Sequence, residues 1–148
     1  MGSCVFGDSR VVVPGRTACA YTRQLGGVLQ NWAWSYSTAG YPAAGLNASA
    51  GDVARLLSAL DAGRVLETKS RERMWTRAAL NDGSASDYGL GWSISSREGR
   101  TAVGHEGGGC CWVTHVPAER LSVVALSNMA GARADDTADE IARRILEV

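Results

Sequence analysis

A change in the spacing of apolar residues constrains the fold of this chain more than any other feature. Residues 47–78 have apolar residues at helical spacing, whereas segments of strand character follow at 88–96, 101–105, 110–116 and 121–128. Short connections at 97–99, 107–109 and 117–120 join these segments. Because parallel strands need long crossovers, connections this short predict antiparallel pairing of consecutive strands. The sequence therefore predicts an antiparallel sheet in a mixed fold of the α/β (α+β type) class.

Helical patterns lie on both sides of this stretch. A first helix is predicted within 47–63, with Ser49 as its N-cap, Asp52 as a capping partner and Gly63 just beyond its end. A shorter helix is predicted over 68–78. The last helix, over 136–146, has acidic residues near its start and basic residues near its end, which suits the helix dipole. We expect this last helix to cover one face of the sheet and the two earlier helices to cover the other face incompletely.

The first third of the chain has little periodicity. Glycine and proline interrupt it repeatedly, and only short strand-like pieces stand out, at 10–13 and 18–22. We therefore expect one domain, 1–148, in three parts: an irregular connecting segment 1–46, a helical part 47–78, and the sheet with its C-terminal helix, 88–148.

The charge balance argues against several kinds of partner. Fifteen basic and fifteen acidic residues give a net charge of zero, so no field attracts nucleic acid or an anionic membrane. No apolar run approaches the roughly 18 residues that a membrane span needs, and the N-terminus lacks the pattern of a signal peptide. The sequence as written predicts a cytoplasmic protein with no nucleic-acid partner, no membrane partner and no cofactor.

A glycine-rich motif follows the second predicted strand. It reads Gly104-His105-Glu106-Gly107-Gly108-Gly109; Tyr88-Gly89-Leu90-Gly91-Trp92 precedes it and the apolar strand at 121–128 follows it. Alone, a triple glycine predicts only a tight turn. In this order, together with the Ala-Gly-Leu and Asp-Val-Ala-Arg runs within 43–55, it resembles the C-terminal part of the serine β-lactamase-like family. That family includes class C β-lactamases, penicillin-binding DD-peptidases and related esterases.

The resemblance extends from about residue 10 to the end of the chain and implies a partial β-lactamase/DD-peptidase-like fold. It also implies a parent serine hydrolase that acts on an amide, lactam or ester through an acyl-enzyme, with a small-molecule or peptide substrate and in some members export from the cell. His105-Glu106-Gly107 resembles the family's third motif in its His-x-Gly form. The resemblance makes His105 a catalytic residue and assigns Glu106, Gly107 and Gly108 to substrate binding, with the Gly108 N–H as oxyanion donor. Ala44 and Cys111 stand where relatives often have Gly.

The family's nucleophile motif, Ser-x-x-Lys, does not occur in these 148 residues. Lys69 is the one lysine, and Leu66 stands three positions before it. Tyr36-Ser37-Thr38 only partly matches the second motif, Tyr-x-Asn, because Thr38 replaces the Asn. We therefore expect a truncated product or fragment that is inactive alone. The alternative is a non-catalytic ligand-binding or interaction module that retains the third-motif pocket. The incompletely covered sheet is a candidate surface for a homodimer.

Two cysteines and two histidines near the motif raise the question of a zinc site. They are His105, Cys110, Cys111 and His115. On a strand over 110–116, adjacent cysteines point to opposite faces, and the paired spacing of structural zinc sites is lacking. We therefore expect no metal site and interpret the cysteines as small buried thiols. Trp92 and Trp112 are candidates for the core or for the lining of the pocket.

Overall fold

A computed structural model describes residues 4–7, 18–32, 38–40 and 43–148 of the chain. Its strands are β1 (Val5–Phe6), β2 (Tyr21–Arg23), β3 (Leu29–Asn31), β4 (Leu46–Asn47), β5 (Ser93–Arg97), β6 (Arg100–Gly107), β7 (Cys111–Val116) and β8 (Leu121–Leu126). Its helices are α1 (Ala50–Asp61), α2 (Thr68–Met74) and α3 (Ala134–Leu146), with short 3-10 turns at Thr38–Gly40 and Pro117–Glu119.

The main sheet has four strands in the order β5-β6-β7-β8, and every neighbouring pair is antiparallel. Each strand follows its neighbour in sequence, so the sheet is a simple meander, and the predicted fold class is confirmed. Tight connections make this possible. Glu98 and Gly99 join β5 to β6 with positive φ angles of 47° and 73°, the backbone that two-residue hairpins require.

One face of the sheet packs against α3, as predicted. Val123 on β8 is buried with Ala138 and Ala142, both fully inaccessible to solvent. Alanines at this contact let the helix axis approach the sheet closely. Polar groups align the two layers as well: the Thr114 hydroxyl donates to Oδ1 of Asp139 over 2.9 Å, and Arg97 on β5 forms an ion pair with the same carboxylate.

Helix α1 contacts β8 from the other side of the sheet. Its start is the predicted one: the Ser49 side chain accepts from the Asp52 N–H over 3.1 Å and donates to the Asp52 carboxylate over 3.0 Å. Its end is a Schellman motif, in which Gly63 N–H bonds Leu60 O and Arg64 N–H bonds Ala59 O. Leu57, 0% exposed, is the most deeply buried apolar side chain of this helix.

The predicted lengths of α2 and β5 were wrong, and the two errors concern neighbouring parts of the structure. Helix α2 ends at Met74 rather than at 78, and β5 begins at Ser93 rather than at 88. The segment between them folds back on the helix end, because Leu90 N–H bonds Met74 O over 3.0 Å and Gly89 lies directly against the same carbonyl. A Cβ at Gly89 would lie 2.4 Å from Met74 O, so only glycine permits this approach.

Two small sheets in the first third of the chain were not predicted as such. β1 pairs with β4, and β2 pairs with β3 around a turn at Gly26-Gly27. The strand predicted at 18–22 corresponds to β2, while the one at 10–13 lies outside the described residues. In the part of the chain that the structure describes, no helix has the length and apolar character to cross a bilayer.

Candidate functional site

His105 lies on the exposed part of β6, on the sheet face opposite α3. Its cross-strand partner is Val113, whereas Gly104 pairs with Thr114, which contacts α3. Gly104 fixes the strand here. A Cβ at this position would lie 2.5 Å from Val113 O and 3.3 Å from the Trp112 ring. The sequence Gly-His therefore places a small residue against the core face and a titratable one on the accessible face.

Tyr88 is the partner of His105 that the sequence did not reveal. Its hydroxyl lies 2.7 Å from Nε2 of His105, and the two rings meet edge to face with centroids 6.0 Å apart. The other ring nitrogen, Nδ1, bonds the backbone carbonyl of Glu106. A carbonyl can only accept, so Nδ1 carries the proton and the neutral ring accepts at Nε2 from the Tyr88 O–H. A protonated ring keeps both contacts, because the tyrosine oxygen also accepts.

The sequence around Tyr88 was noted, but it was interpreted as part of a strand rather than as a turn. Its segment was expected to be the start of a long strand, and a strand would not single out the tyrosine. Instead, residues 89–92 form a turn, in which Gly91 has a φ of 79°. This turn brings the backbone of Tyr88 next to Ser93, the first residue of β5, with which it forms an isolated antiparallel bridge. Because Ser93 pairs with Gly104, Tyr88 reaches the residue that follows Gly104 on β6.

Gly107, Gly108 and Gly109 continue from His105 into the turn between β6 and β7. Gly107 is the last residue of β6, and Gly108 and Gly109 have φ angles of 58° and 68°. The turn is closed by Cys110 N–H on Gly107 O at 3.2 Å. No described residue accepts a hydrogen bond from the Gly108 N–H, so this donor is open to an incoming oxygen. Glu106 lies exposed on the strand, with its side chain near Gly109.

The tryptophans do not surround His105. Trp112 lies on the α3 face, where its indole N–H donates to Thr114 Oγ1 over 2.9 Å. Trp112 pairs with Glu106 rather than with His105, so of the two roles considered for it, a place in the core fits the structure. Trp92 packs edge to face on Trp75, with ring centroids 6.4 Å apart, and belongs to the layer between α2 and the sheet.

His115 occupies a separate, closed position on the same sheet face. It is 0% exposed and lies between Asp61 and Ser122, with Nε2 3.1 Å from Asp61 Oδ1 and Nδ1 2.9 Å from Ser122 Oγ. A carboxylate requires the proton on Nε2, so Ser122 donates to Nδ1. Burial lowers the pKa of His115 below 6.5, although the nearby Asp61 carboxylate opposes this shift. The contact holds the end of α1 against β7 and β8 and offers no access to a substrate.

The four residues that suggested zinc do not form one cluster. His115 is committed to Asp61 and Ser122, and His105 to Tyr88 and Glu106. Within the described residues, no group of three or more His, Cys, Asp or Glu side chains could hold a metal ion. The expectation that Cys110 and Cys111 point to opposite faces was wrong. β7 begins at Cys111, so Cys110 belongs to the turn, and the two Sγ atoms lie 3.8 Å apart.

A depression of about 370 Å³ lies elsewhere, beside α3. Charged side chains line it, among them Arg97, Asp139, Glu140 and Arg143. These groups already pair with one another: Arg97 with Asp139, and Arg143 with Glu140. These four charges are therefore matched within the protein, and the candidate site remains the open strand at His105.

The sequence matches the model of the family described as Beta-lactamase over residues 1–147. A D-aminopeptidase of Brucella anthropi is 34% identical over 95 residues, which cover 62% of this chain and 18% of that protein. The fold resembles the octameric penicillin-binding protein homologue from Pyrococcus abyssi, with a TM-score of 0.80, 22% identity, and coverage of 97% of this chain and 34% of that one. It also resembles a penicillin binding protein from Bacillus halodurans, with a TM-score of 0.69, 19% identity, and coverage of 97% and 44%. The chain thus spans less than half the length of each of these proteins.

Proposed function

The chain belongs to the β-lactamase family, and from this membership we propose that it is the C-terminal, third-motif part of a serine hydrolase. The reaction proposed for the whole enzyme is cleavage of an amide, lactam or ester through an acyl-enzyme. In it, His105 is the catalytic group of this chain, and the backbone of Glu106, Gly107 and Gly108 contacts the substrate.

The hydrogen bond between Tyr88 and His105 is the observation that carries this proposal. An exposed histidine usually moves among rotamers, which would make it a poor catalytic group. Here the ring has a partner at each nitrogen, and so it is held in one orientation, three positions before Gly108 in the sequence. A substrate oxygen at the Gly108 N–H would lie where negative charge develops during acyl transfer. The pair also offers a route by which a proton passes between Tyr88 and His105.

Acyl transfer needs a nucleophile that these residues do not supply. Ser-x-x-Lys is absent from the 148 residues, so the proposal requires that the nucleophile come from outside this sequence. Without it, the expected activity of the chain is recognition of the acyl group, with no covalent step.

The test is to incubate the purified chain with a penicillin and, separately, with a D-amino acid amide, the latter suggested by the D-aminopeptidase relative. Intact mass is expected to show no covalent adduct, while amide resonances of residues 105–108 shift in an NMR titration. A stoichiometric acyl adduct would instead reveal a nucleophile within this chain. Titration shifts confined to other residues would remove the third-motif assignment.

The alternative function is a non-catalytic ligand-binding or interaction module that keeps the same pocket. Both functions predict binding at His105, and they differ in what completes the site. Adding a Ser-x-x-Lys segment from the same genomic locus should produce turnover only if the chain is part of an enzyme. Binding without turnover in that mixture favours the module.

We also propose a homodimer through the incompletely covered sheet, with its edge strand β8 at the contact. β8 is the last strand of the sheet among the described residues, and an apolar edge strand is a template for pairing with a second chain. The structural relative from Pyrococcus abyssi is itself described as octameric. Sedimentation at rising concentration tests this proposal, with Leu126→Lys, at an exposed apolar position of β8, as the variant that should return the chain to a monomer.

A further inference from the structure

Cys110 and Cys111 form a pair that the function proposed above does not use. Cys110 ends the turn after Gly109, and Cys111 begins β7 by pairing with Gly107 on one side and Leu126 on the other. This junction between turn and strand brings the two sulfur atoms to 3.8 Å, and both residues are partly exposed. The backbone therefore holds two thiols side by side at a place that solvent reaches.

The separation of the two sulfurs suits a shared ligand better than a bond between them. A disulfide needs an S–S distance of about 2.05 Å, well short of the observed one. A pyramidal centre with bonds to sulfur of about 2.3 Å and an angle of about 100° between them places its two sulfurs about 3.5 Å apart, close to the observed 3.8 Å. Among the described residues, each thiol otherwise has one weak contact with a backbone carbonyl, Cys110 with Gly107 O and Cys111 with Ser127 O, both at 3.7 Å. Little is lost when these contacts are exchanged.

We propose that Cys110 and Cys111 form a dithiol site that chelates one trivalent arsenic atom. The class of ligand is an organic arsenoxide. In the binding step, each sulfur forms one bond to arsenic and the bond from arsenic to its oxide oxygen breaks. The two thiol protons leave with that oxygen as water. Arsenic and sulfur keep their oxidation states, so the step needs no oxidant or reductant.

The protonation of the pair favours this ligand class over a simple divalent cation. Burial raises the pKa of Cys110 to about 11, and the neighbouring Cys111 and Glu106 add to the effect. A divalent cation has to displace two protons into solvent, which such a pKa opposes at neutral pH. Condensation with an arsenoxide consumes those protons within the reaction itself.

Phenylarsine oxide is the probe, and the test uses the full chain with Cys4→Ser and Cys19→Ser so that only the pair remains. Intact mass should show one added C6H5As unit with the loss of two hydrogens. The adduct should persist in excess 2-mercaptoethanol and disappear with 1,2-ethanedithiol. A monothiol cannot compete with two protein sulfurs for the arsenic, whereas a second dithiol can. Cys110→Ser and Cys111→Ser, each in the same background and checked by circular dichroism, should both lose the resistant adduct.

The structure-based part of the proposal is that the fold prearranges the two sulfurs. The apparent affinity of the folded chain should therefore exceed that of the urea-unfolded chain by about tenfold or more. Equal affinity in urea overturns the proposal, as does a resistant adduct on either single variant. A chain that is two hydrogens lighter under reducing-agent-free conditions and takes no arsenic also overturns it, since it would contain a disulfide.

Discussion

His115 and Asp61 join the sheet to the end of α1 through one hydrogen bond, with 3.1 Å between Nε2 and Oδ1. The histidine is fully buried and the carboxylate is nearly so, at 16% exposure of its side chain. This contact resembles a catalytic pairing in composition, and Ser122 even completes a Ser-His-Asp set, but its burial makes it part of the scaffold.

Acidification should destabilise the chain through His115. Its pKa in the folded state lies below 6.5, so the unfolded chain binds the proton first as the pH falls. The contribution of His115 to the free energy of unfolding should therefore be fully present above a pH of about 6.5. It should decline as the pH falls toward the lower pKa of the folded state. Urea denaturation from about pH 7.5 to 5 measures this.

Two histidine variants separate this effect from other titrations. His115→Gln should flatten the pH dependence, and His105→Gln is the matched control, because it leaves His115 and its contacts in place. Arg143 and Arg144 lower the pKa of Glu140 from 4.5 to about 2. The contribution of Glu140 to stability is therefore lost only at a pH below about 4.5, which is below the pH range of this measurement. A pH slope that survives in His115→Gln would contradict the assignment.

The two histidines should have opposite neutral tautomers. The Glu106 carbonyl requires the proton on Nδ1 of His105, while Asp61 requires it on Nε2 of His115. Long-range proton–nitrogen NMR spectra at about pH 8, where histidine is neutral, distinguish the two forms. Tyr88→Phe should broaden or mix the His105 signals and leave those of His115 unchanged. Equal tautomers at both positions would contradict the geometry of the candidate site.

Replacement of His105 by alanine should weaken ligand binding without unfolding the chain. The side chain is exposed, and its ring contact among the described residues is with Tyr88, so the free energy of unfolding should change by less than about 0.5 kcal/mol. Loss of one polar contact to the ligand should weaken binding about tenfold. Thermal melts and the NMR titration measure the two effects; a large loss of stability would mark His105 as structural.

The Ser49 cap should contribute measurably to α1. Ser49→Ala removes the acceptor for the Asp52 N–H and should cost about 1 kcal/mol. Ser58→Ala is the matched control, because Ser58 is exposed within the same helix and alanine there favours helix formation. A cost at Ser58 equal to that at Ser49 would remove the capping argument.

Gly104→Ala should be one of the most damaging single-methyl additions. The new Cβ would meet Val113 O at 2.5 Å, and backbone cannot move aside as a side chain can. Overpacking of this kind costs about 1 to 3 kcal/mol. Gly40→Ala is the control, since no heavy atom of a described residue lies within 4 Å of its Cβ position. Equal melting temperatures of the two variants would contradict the packing described for β6.

The sequence was sufficient where local chemistry decides the structure and insufficient where tertiary contacts do. Ser49 and Gly63 have physical roles that any helix end requires, and both were identified. The position of Tyr88 depends on Gly89 packing against Met74 O, a contact between segments that no periodicity records. Likewise, β7 begins at Cys111 because the glycines before it form a turn with positive φ angles. The predicted strand began one residue earlier, and this difference changed the side to which the Cys110 sulfur was expected to point.

The connectivity of the sheet has a consequence for the order in which the chain folds. β5 to β8 are joined by tight turns, so their contacts form between residues close in sequence and cost little loop-closure entropy. The Asp61–His115 contact instead spans 54 positions. The meander is thus expected to assemble early and α1 to dock late, which would make the protection of the sheet amides from hydrogen exchange appear before that of the helix.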